Sequence, residues 1–201
     1  MLDIVGAVVF LIVFSWLYLV VAVIVRVTLG SPVIFTQVRP GRYERPFPLH
    51  KFRTMTQACD SNGVPLPEDA RITRVGRLLR KASLDEIPEV WNILVGDMSY
   101  VGPRPLLMHY LPYYTKEERQ RHAVRPGLTG LAQISGRNDL PWDTRLALDA
   151  AYARSITFAE DLRILRLTVA TVLSRQGIRV GAEHVMRNLD EERSSAQGPP
   201  S

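Results

Sequence analysis

From Ile4 to Val25 the chain reads "IVGAVVFLIVFSWLYLVVAVIV", 22 residues without a charge. No other feature limits the fold so strongly. At about 1.5 Å of rise per residue this run makes a helix of roughly 33 Å, close to the hydrocarbon thickness of a bilayer. A secretory leader would open on a basic segment, carry a shorter apolar core and end at small residues. Met1-Leu2-Asp3 is not basic, and no small-residue cleavage site follows the run. The segment therefore reads as a membrane-embedded helix over residues 1–28. Arg26 follows it directly, and the rest of the chain is rich in Arg and Lys. By the positive-inside rule the bulk of the protein lies in the cytoplasm.

The 201 residues suffice for one cored domain beside this helix. Cys59 is the sole cysteine, which excludes an intramolecular disulfide framework and suits a reducing compartment. The formal net charge of +5 permits a membrane-tethered module that binds nucleic acid or anionic headgroups. Against nucleic acid, the sequence shows no interleaved basic and aromatic surface and no recognition motif.

Past the apolar run, Val33 to Val38 is β-branched and aromatic, and Pro40-Gly41 signals a turn. "ACDSNGVPLPEDA" is a polar loop. Ile72, Val75, Leu78 and Leu79 recur at helical spacing between arginines. Ile87, Val90, Trp91 and Leu94 repeat at i, i+3, i+4 and i+7, which predicts a second short helix with Gly96 as its stop. Thr115 stands three residues before Glu118, a capping-box spacing that starts another helix. Residues 145–175 read as two helices parted near Ser155–Phe158. Residues 184–201 are polar and read as a disordered tail. The expected class is mainly α with a small β element (α+β): the membrane helix, a domain over 29–183, and the tail.

"LRKASLDEIPEVWNIL" sets two adjacent carboxylates, Asp85 and Glu86, between a basic segment and an apolar helical pattern. One reading is a helix start: Ser83 precedes Glu86 by three, and acidic side chains are favoured at that end of the dipole. Pro88 fits a start near Asp85 better than one at Ser83, because it lacks an N–H and crowds the preceding turn. The other reading is chemistry. An ionised Asp is already a nucleophile at neutral pH, and its obstacle is the approach to an anionic phosphorus centre. Cations remove that obstacle: Mg²⁺ held by one or two carboxylates with substrate phosphates, or the forked guanidinium of Arg80 or Arg104. Arg104 sits between two prolines in "GPRP".

"SLDEIPEVWNILVGDMSYVGPRP" resembles the signature of the bacterial sugar transferases, the monotopic phosphoglycosyl transferases. "VIFTQVRPG", "KFRTM" and "RPGLTGLAQISGRN" resemble the family's other blocks, in the expected order. The resemblance runs from about Asp3 to Arg175 and is closest to the small, PglC-like form, which is little more than the catalytic unit. It implies transfer of a phosphosugar from a UDP-sugar to a membrane polyprenol phosphate, such as undecaprenyl phosphate. The products are the polyprenyl-diphospho-sugar and UMP. The implied mechanism is ping-pong, with Asp85 as nucleophile and metal ligand, Glu86 as its dyad partner and Mg²⁺ as cofactor. Lys51, Arg80, Arg104 and Asp149 match positions implicated in binding substrate, binding metal or organising the site. The implied location is the bacterial inner membrane, with the catalytic domain on its cytoplasmic face. Oligomeric state is left open, and "SGRN" is a pointer to N-acetylated amino sugars.

One departure bears on topology. The small-form helix is re-entrant, broken by Ser-Pro near its middle, whereas this chain has Ser15-Trp16. The expectation is a re-entrant helix bent by the Ser15 hydroxyl; the alternative is a straight span. The rival activities are a membrane-bound, Mg²⁺-dependent phosphohydrolase built on the same Asp, and the basic binding module above.

Overall fold

The computed structural model describes residues 2–136, 140–174 and 188–197. The chain is mainly helical with two small two-stranded sheets, the expected α+β class. It divides into two compact units. Of the described residues, one holds 2–37 and 49–96, and the other 38–48, 97–136, 140–174 and 188–197. The boundary expected at 183 and 184 lies outside the described residues, as does Arg175.

In the first unit, helix α1 (Leu2–Leu29) contains an 18-residue window of mean hydropathy 3.0 and is long and apolar enough to cross a membrane. It continues without interruption through Ser15 and Trp16, with the Ser15 hydroxyl donating to the Ile12 carbonyl at 3.1 Å. At its C-terminal end Gly30 adopts a left-handed conformation and returns its N–H to Arg26. The buried Arg53 guanidinium donates to the carbonyls of Leu29 and Ser31. A cation there satisfies orphan carbonyls and opposes the negative end of the helix dipole. Strands β1 (Ile34–Pro40) and β2 (Pro46–Phe52) form a hairpin whose base, residues 34–37 and 49–52, belongs to this unit.

Helix α2 (Glu68–Arg71) leads into α3 (Arg74–Lys81), whose N-terminus is capped by Thr73 through the Gly76 N–H at 2.9 Å. Val21 and Val25 of α1 meet Phe52, Leu79 and Ile87 in the core. Helix α4 (Glu89–Val95) packs beside α1 and ends at Gly96, left-handed at φ 89°, as the sequence indicates. Its phase is not the expected one. Glu89, Val90, Asn92 and Ile93 face inward, while Trp91 is 54% exposed. The polar pair Glu89 and Asn92 finds partners on β2, which turns that side of the helix inward; apolar periodicity alone does not register those bonds.

In the second unit, β3 (Ser99–Val101) pairs in parallel with β4 (Gly127–Thr129), Ser99 opposite Gly127 and Val101 opposite Thr129. This joins "GPRP" to "RPGLTG". Gly127 is required at the join, because a Cβ there would stand 2.1 Å from the Gly102 nitrogen. Helix α5 (Leu131–Ser135) follows, then α6 (Trp142–Arg154) and α7 (Phe158–Ser174), parted where the sequence places the break. The Thr115 capping box forms in both directions: the Glu118 N–H donates to Thr115 Oγ1 at 3.2 Å and the Thr115 N–H to Glu118 Oε2 at 2.7 Å. It opens a 3-10 helix, Glu118–Ala123. Within the stretch read as a tail, α8 (Leu189–Gln197) is helical, and Leu189 is fully buried among Leu106, Tyr110, Tyr114, Trp142 and Leu146. The composition of 184–201 is polar on average, and one buried leucine is enough to anchor a short helix.

Candidate active site

Lys51, Arg80, Asp85 and Glu86 lie in the first unit; Arg104 and Asp149 lie in the second. Asp85 and Glu86 form the middle and end of a 3-10 turn, Leu84–Glu86, that leads into α4. Ser83 enters this turn in the left-handed region (φ 54°), and its side chain makes no cap bond. The simple helix-start reading is therefore not realised at Ser83. Pro88 precedes the first residue of α4, where a missing N–H costs nothing. Asp85 is buried, 8% exposed.

Glu86 is engaged elsewhere. Its Oε1 stands 2.9 Å from Lys51 Nζ, delivered by β2. The same ammonium stands 3.0 Å from Oε1 of Glu89, one helical turn further on, whose side chain is 3% exposed. One cation is thus shared by two carboxylates, and Lys51 touches the dyad directly. Asn92, at the next inward position of α4, accepts the backbone N–H of His50 at 3.2 Å. Helix and strand are tied together at the lysine and at the residue before it.

Arg80 lies in the last turn of α3, just before the dyad turn. Its Nε donates to Thr54 Oγ1 at 3.0 Å and its Nη1 pairs with Glu68. The contacts of this guanidinium organise the scaffold around Thr54.

In the second unit, Arg104 is exposed on the proline-flanked loop, and its backbone carbonyl accepts Nη2 of Arg121 at 2.8 Å. Arg121 also donates to Asp149 Oδ2 from Nη2 (2.7 Å) and Nε (3.2 Å) and to Tyr114 Oη (3.3 Å). The ion pair is almost completely buried. Burial pushes the Asp149 carboxyl above its ordinary range, and the guanidinium pulls it back. Burial likewise opposes the Arg121 cation, but the charges and hydrogen bonds of Asp149 and Tyr114 together outweigh it, so the arginine pKa lies above its usual value. Two donors on one carboxylate oxygen favour the ionised pair. His122, 6% exposed, is pushed down to about 3 by burial and by the adjacent Arg121 charge. A shallow surface cleft, open to solvent, is lined by Arg104, Arg121, His122 and Pro103 among others.

Sequence reasoning missed Glu89, Arg121 and His122. Glu89 carried one signal: it sits three residues from both Glu86 and Asn92, so the three can share a helix face. The pointer "SGRN" includes Arg137 and Asn138, which lie outside the described residues.

A family model described as bacterial sugar transferase matches residues 1–175. The chain is 50% identical over 177 residues to the uncharacterized sugar transferase EpsL of Bacillus subtilis (strain 168), covering 88% of each chain. It is 39% identical over 165 residues to the undecaprenyl-phosphate galactose phosphotransferase of Salmonella typhimurium, covering 74% of this chain and 35% of that one. It is 37% identical over 186 residues to a UDP-N-acetylgalactosamine-undecaprenyl-phosphate N-acetylgalactosaminephosphotransferase of Aeromonas hydrophila, covering 89% of this chain and 44% of the other. The chain belongs to the bacterial sugar transferase family. It spans less than half the length of the latter two relatives.

Proposed function

We propose that the chain transfers a phosphosugar from a UDP-sugar to a membrane polyprenol phosphate, through a covalent intermediate on Asp85. The observation that carries the reading is the dyad: a buried Asp85 beside a Glu86 whose carboxylate is engaged by the Lys51 ammonium. The names of the Salmonella and Aeromonas relatives support undecaprenyl phosphate as acceptor. They name different sugars, so the sugar is not carried over.

In the first half-reaction the Asp85 carboxylate attacks the β-phosphorus of the donor. The bond from that phosphorus to the bridging oxygen breaks, and its electron pair leaves with UMP. In the second, a phosphate oxygen of the polyprenol phosphate attacks the same phosphorus and expels Asp85. Atoms and charges balance without an outside proton donor. Lys51 neutralises part of the negative charge beside the nucleophile and restrains Glu86. Arg104 is the candidate phosphate contact of the second unit, with Asp149 acting on it at one remove through Arg121.

Among the described residues, no three His, Cys, Asp or Glu side chains gather as a metal site. Mg²⁺ needs fewer protein ligands when substrate phosphates complete its shell, and the hard oxygens of Asp85 fit such a set. Bound by Asp85 with the donor diphosphate, it would supply charge neutralisation at the reacting phosphates.

The membrane assignment is the cytoplasmic face of the inner membrane, with α1 entering and returning to that face. The packing of the C-terminal half of α1 against the core of its own unit supports this, because a covered helix face is withdrawn from lipid.

The test is a donor-only burst. A panel of UDP-sugars without acceptor should yield up to one equivalent of UMP, with a phosphosugar adduct on the peptide containing Asp85. The burst should vanish in EDTA and return with Mg²⁺. Asp85→Asn should fold yet lose both burst and turnover, and its robust turnover would end the covalent account. Free sugar phosphate as the main product, even with acceptor present, would instead identify a phosphohydrolase.

A further inference from the structure

Lys51, Glu86 and Glu89 form a three-membered cluster in which only Glu86 belongs to the dyad. Glu89 is the most buried of the three, with a side chain 3% exposed against 18% for Glu86 and 20% for Lys51. A carboxylate withdrawn that far from water is costly unless a cation compensates it. Lys51 does so at 3.0 Å, and the same nitrogen reaches Glu86 at 2.9 Å.

The geometry also fixes where the ammonium stands. A lysine has four rotatable side-chain bonds and ordinarily loses much rotamer freedom when confined. Here its strand is locked to α4 at the preceding residue, where Asn92 accepts the His50 N–H, and its nitrogen is locked by Glu89 on the same inward face. With the strand and the nitrogen both anchored to α4, Lys51 presents a fixed charge to Glu86, which sits in the turn leading into that helix.

We propose that Glu89 is a positioning residue for the transfer reaction: acting through Lys51, it holds the Glu86 carboxylate in place beside the nucleophile Asp85. The inference rests on the phosphosugar-transfer reading of the dyad. Without the Glu89 charge, the ammonium would lose its most buried anionic anchor, and Glu86 and Lys51 would sample arrangements unsuited to the reaction. The consequence falls on the chemical step rather than on donor binding. Glu89→Gln keeps the shape and the hydrogen-bonding capacity and removes the charge. Glu89→Asp keeps the charge on a shorter arm.

Two measurements on the full chain in detergent test this, one independent of turnover. The chain has three lysines, Lys51, Lys81 and Lys116. Trace acetylation with peptide mapping reads the reactivity of Lys51 against the other two as internal references. Glu89→Gln should raise Lys51 labelling several-fold and leave Lys81 and Lys116 unchanged, because an amine that loses an anionic partner is more readily deprotonated and more mobile. In turnover, Glu89→Gln should lower kcat by at least about tenfold, the scale on which outer-shell partners act, with KM for the UDP-sugar changed by less than about twofold. Glu89→Asp should recover part of the loss. Thermal melting of each variant identifies any that fail to fold, and Glu89→Asp then supplies the comparison.

Unchanged Lys51 labelling in a folded Glu89→Gln would overturn the clamp. So would changed labelling with an unaltered kcat, or a loss confined to KM. A wild-type protein that turns over no UDP-sugar would sink the transferase reading instead, and the labelling result alone would then decide the clamp.

Discussion

At the residue scale, the buried charges of the second unit set a pH limit on its stability. His122 is enclosed beside Arg121, with Arg119 also contributing positive charge, and its pKa is pushed down to about 3. The native imidazole is therefore neutral at every pH where the protein is useful, while the unfolded imidazole titrates near 6.5. The sign follows from linkage. Below pH 6.5 the unfolded chain binds a proton that the native state refuses, so stability is lost as pH falls toward 3. The slope is about 1.4 kcal/mol per pH unit over the steep part of that window. Between pH 6.5 and 5 the loss approaches about 2 kcal/mol, a few degrees in Tm for a chain of this size. His122→Gln should show a visibly shallower fall in Tm over the same interval, under matched detergent and salt. Parallel curves for the two proteins would remove His122 as the source. Nothing in the sequence foretold this. His122 follows "EERQR" and reads as one more residue of a polar helix, and its burial depends on the Arg121–Asp149 pair formed across 28 residues.

At the element scale, the close approach of α3 to Thr54 depends on one missing side chain. A Cβ built on Gly76 would stand 1.9 Å from the Thr54 carbonyl oxygen, a backbone atom that cannot swing aside. Gly76→Ala must therefore push the helix away from Thr54. The intrinsic helix preference of alanine, roughly 1 kcal/mol over glycine, acts in the opposite direction. Overpacking of this kind typically costs about 1–3 kcal/mol, and here the clash is with backbone, so the net effect should be destabilising. A Gly76→Ala protein with an unchanged or higher Tm would contradict the packing. Arg80 bonds Thr54 from the same helix, so the shift should also loosen the turn that leads to the dyad. Elements whose signals are local were legible in the sequence: the Gly96 stop, the Thr115 capping box and the break between α6 and α7. The parallel pairing of β3 with β4 was not, since it joins two three-residue strands 28 positions apart. At Asp85 and Glu86 the residues alone left a helix start and chemistry both open, and the resemblance of the whole block carried the catalytic reading; the place of Pro88 just before α4, in contrast, was legible from its missing N–H. The inward face of α4 was misread because Glu89 and Asn92 are buried by polar partners 35 or more residues away, which apolar periodicity does not register.

At the scale of the molecule in its membrane, the question is whether α1 crosses. Its 28 residues amount to about 42 Å of helix, enough for a span if all of it were free. It is not all free. Leu17, Tyr18, Val21, Ala22, Val25 and Leu29 lie along one helical face and pack into the core of the first unit, with the Tyr18 ring 4.9 Å from that of Phe52. Phe10 packs against the same core, and beyond it Leu2–Val9 provides roughly 12 Å, well short of the roughly 30 Å hydrocarbon core. A helix continuing straight inward would leave Asp3 in or near hydrocarbon, where an acidic side chain is disfavoured by about 3 kcal/mol. A return to the entry face keeps Asp3 in water, and the Ser15 hydroxyl bonded to Ile12 marks the turn where a bend is easiest. In a Cys59→Ser background, single cysteines at positions 3 and 26 should both react with a membrane-impermeant maleimide in inside-out vesicles and resist it in intact spheroplasts. Trp16→Pro should insert normally and keep this pattern if α1 bends at Ser15 in the bilayer, whereas in a straight span the added proline should disturb insertion. If position 3 reacts in spheroplasts while position 26 does not, α1 spans the membrane, and the helix is an anchor rather than a re-entrant element.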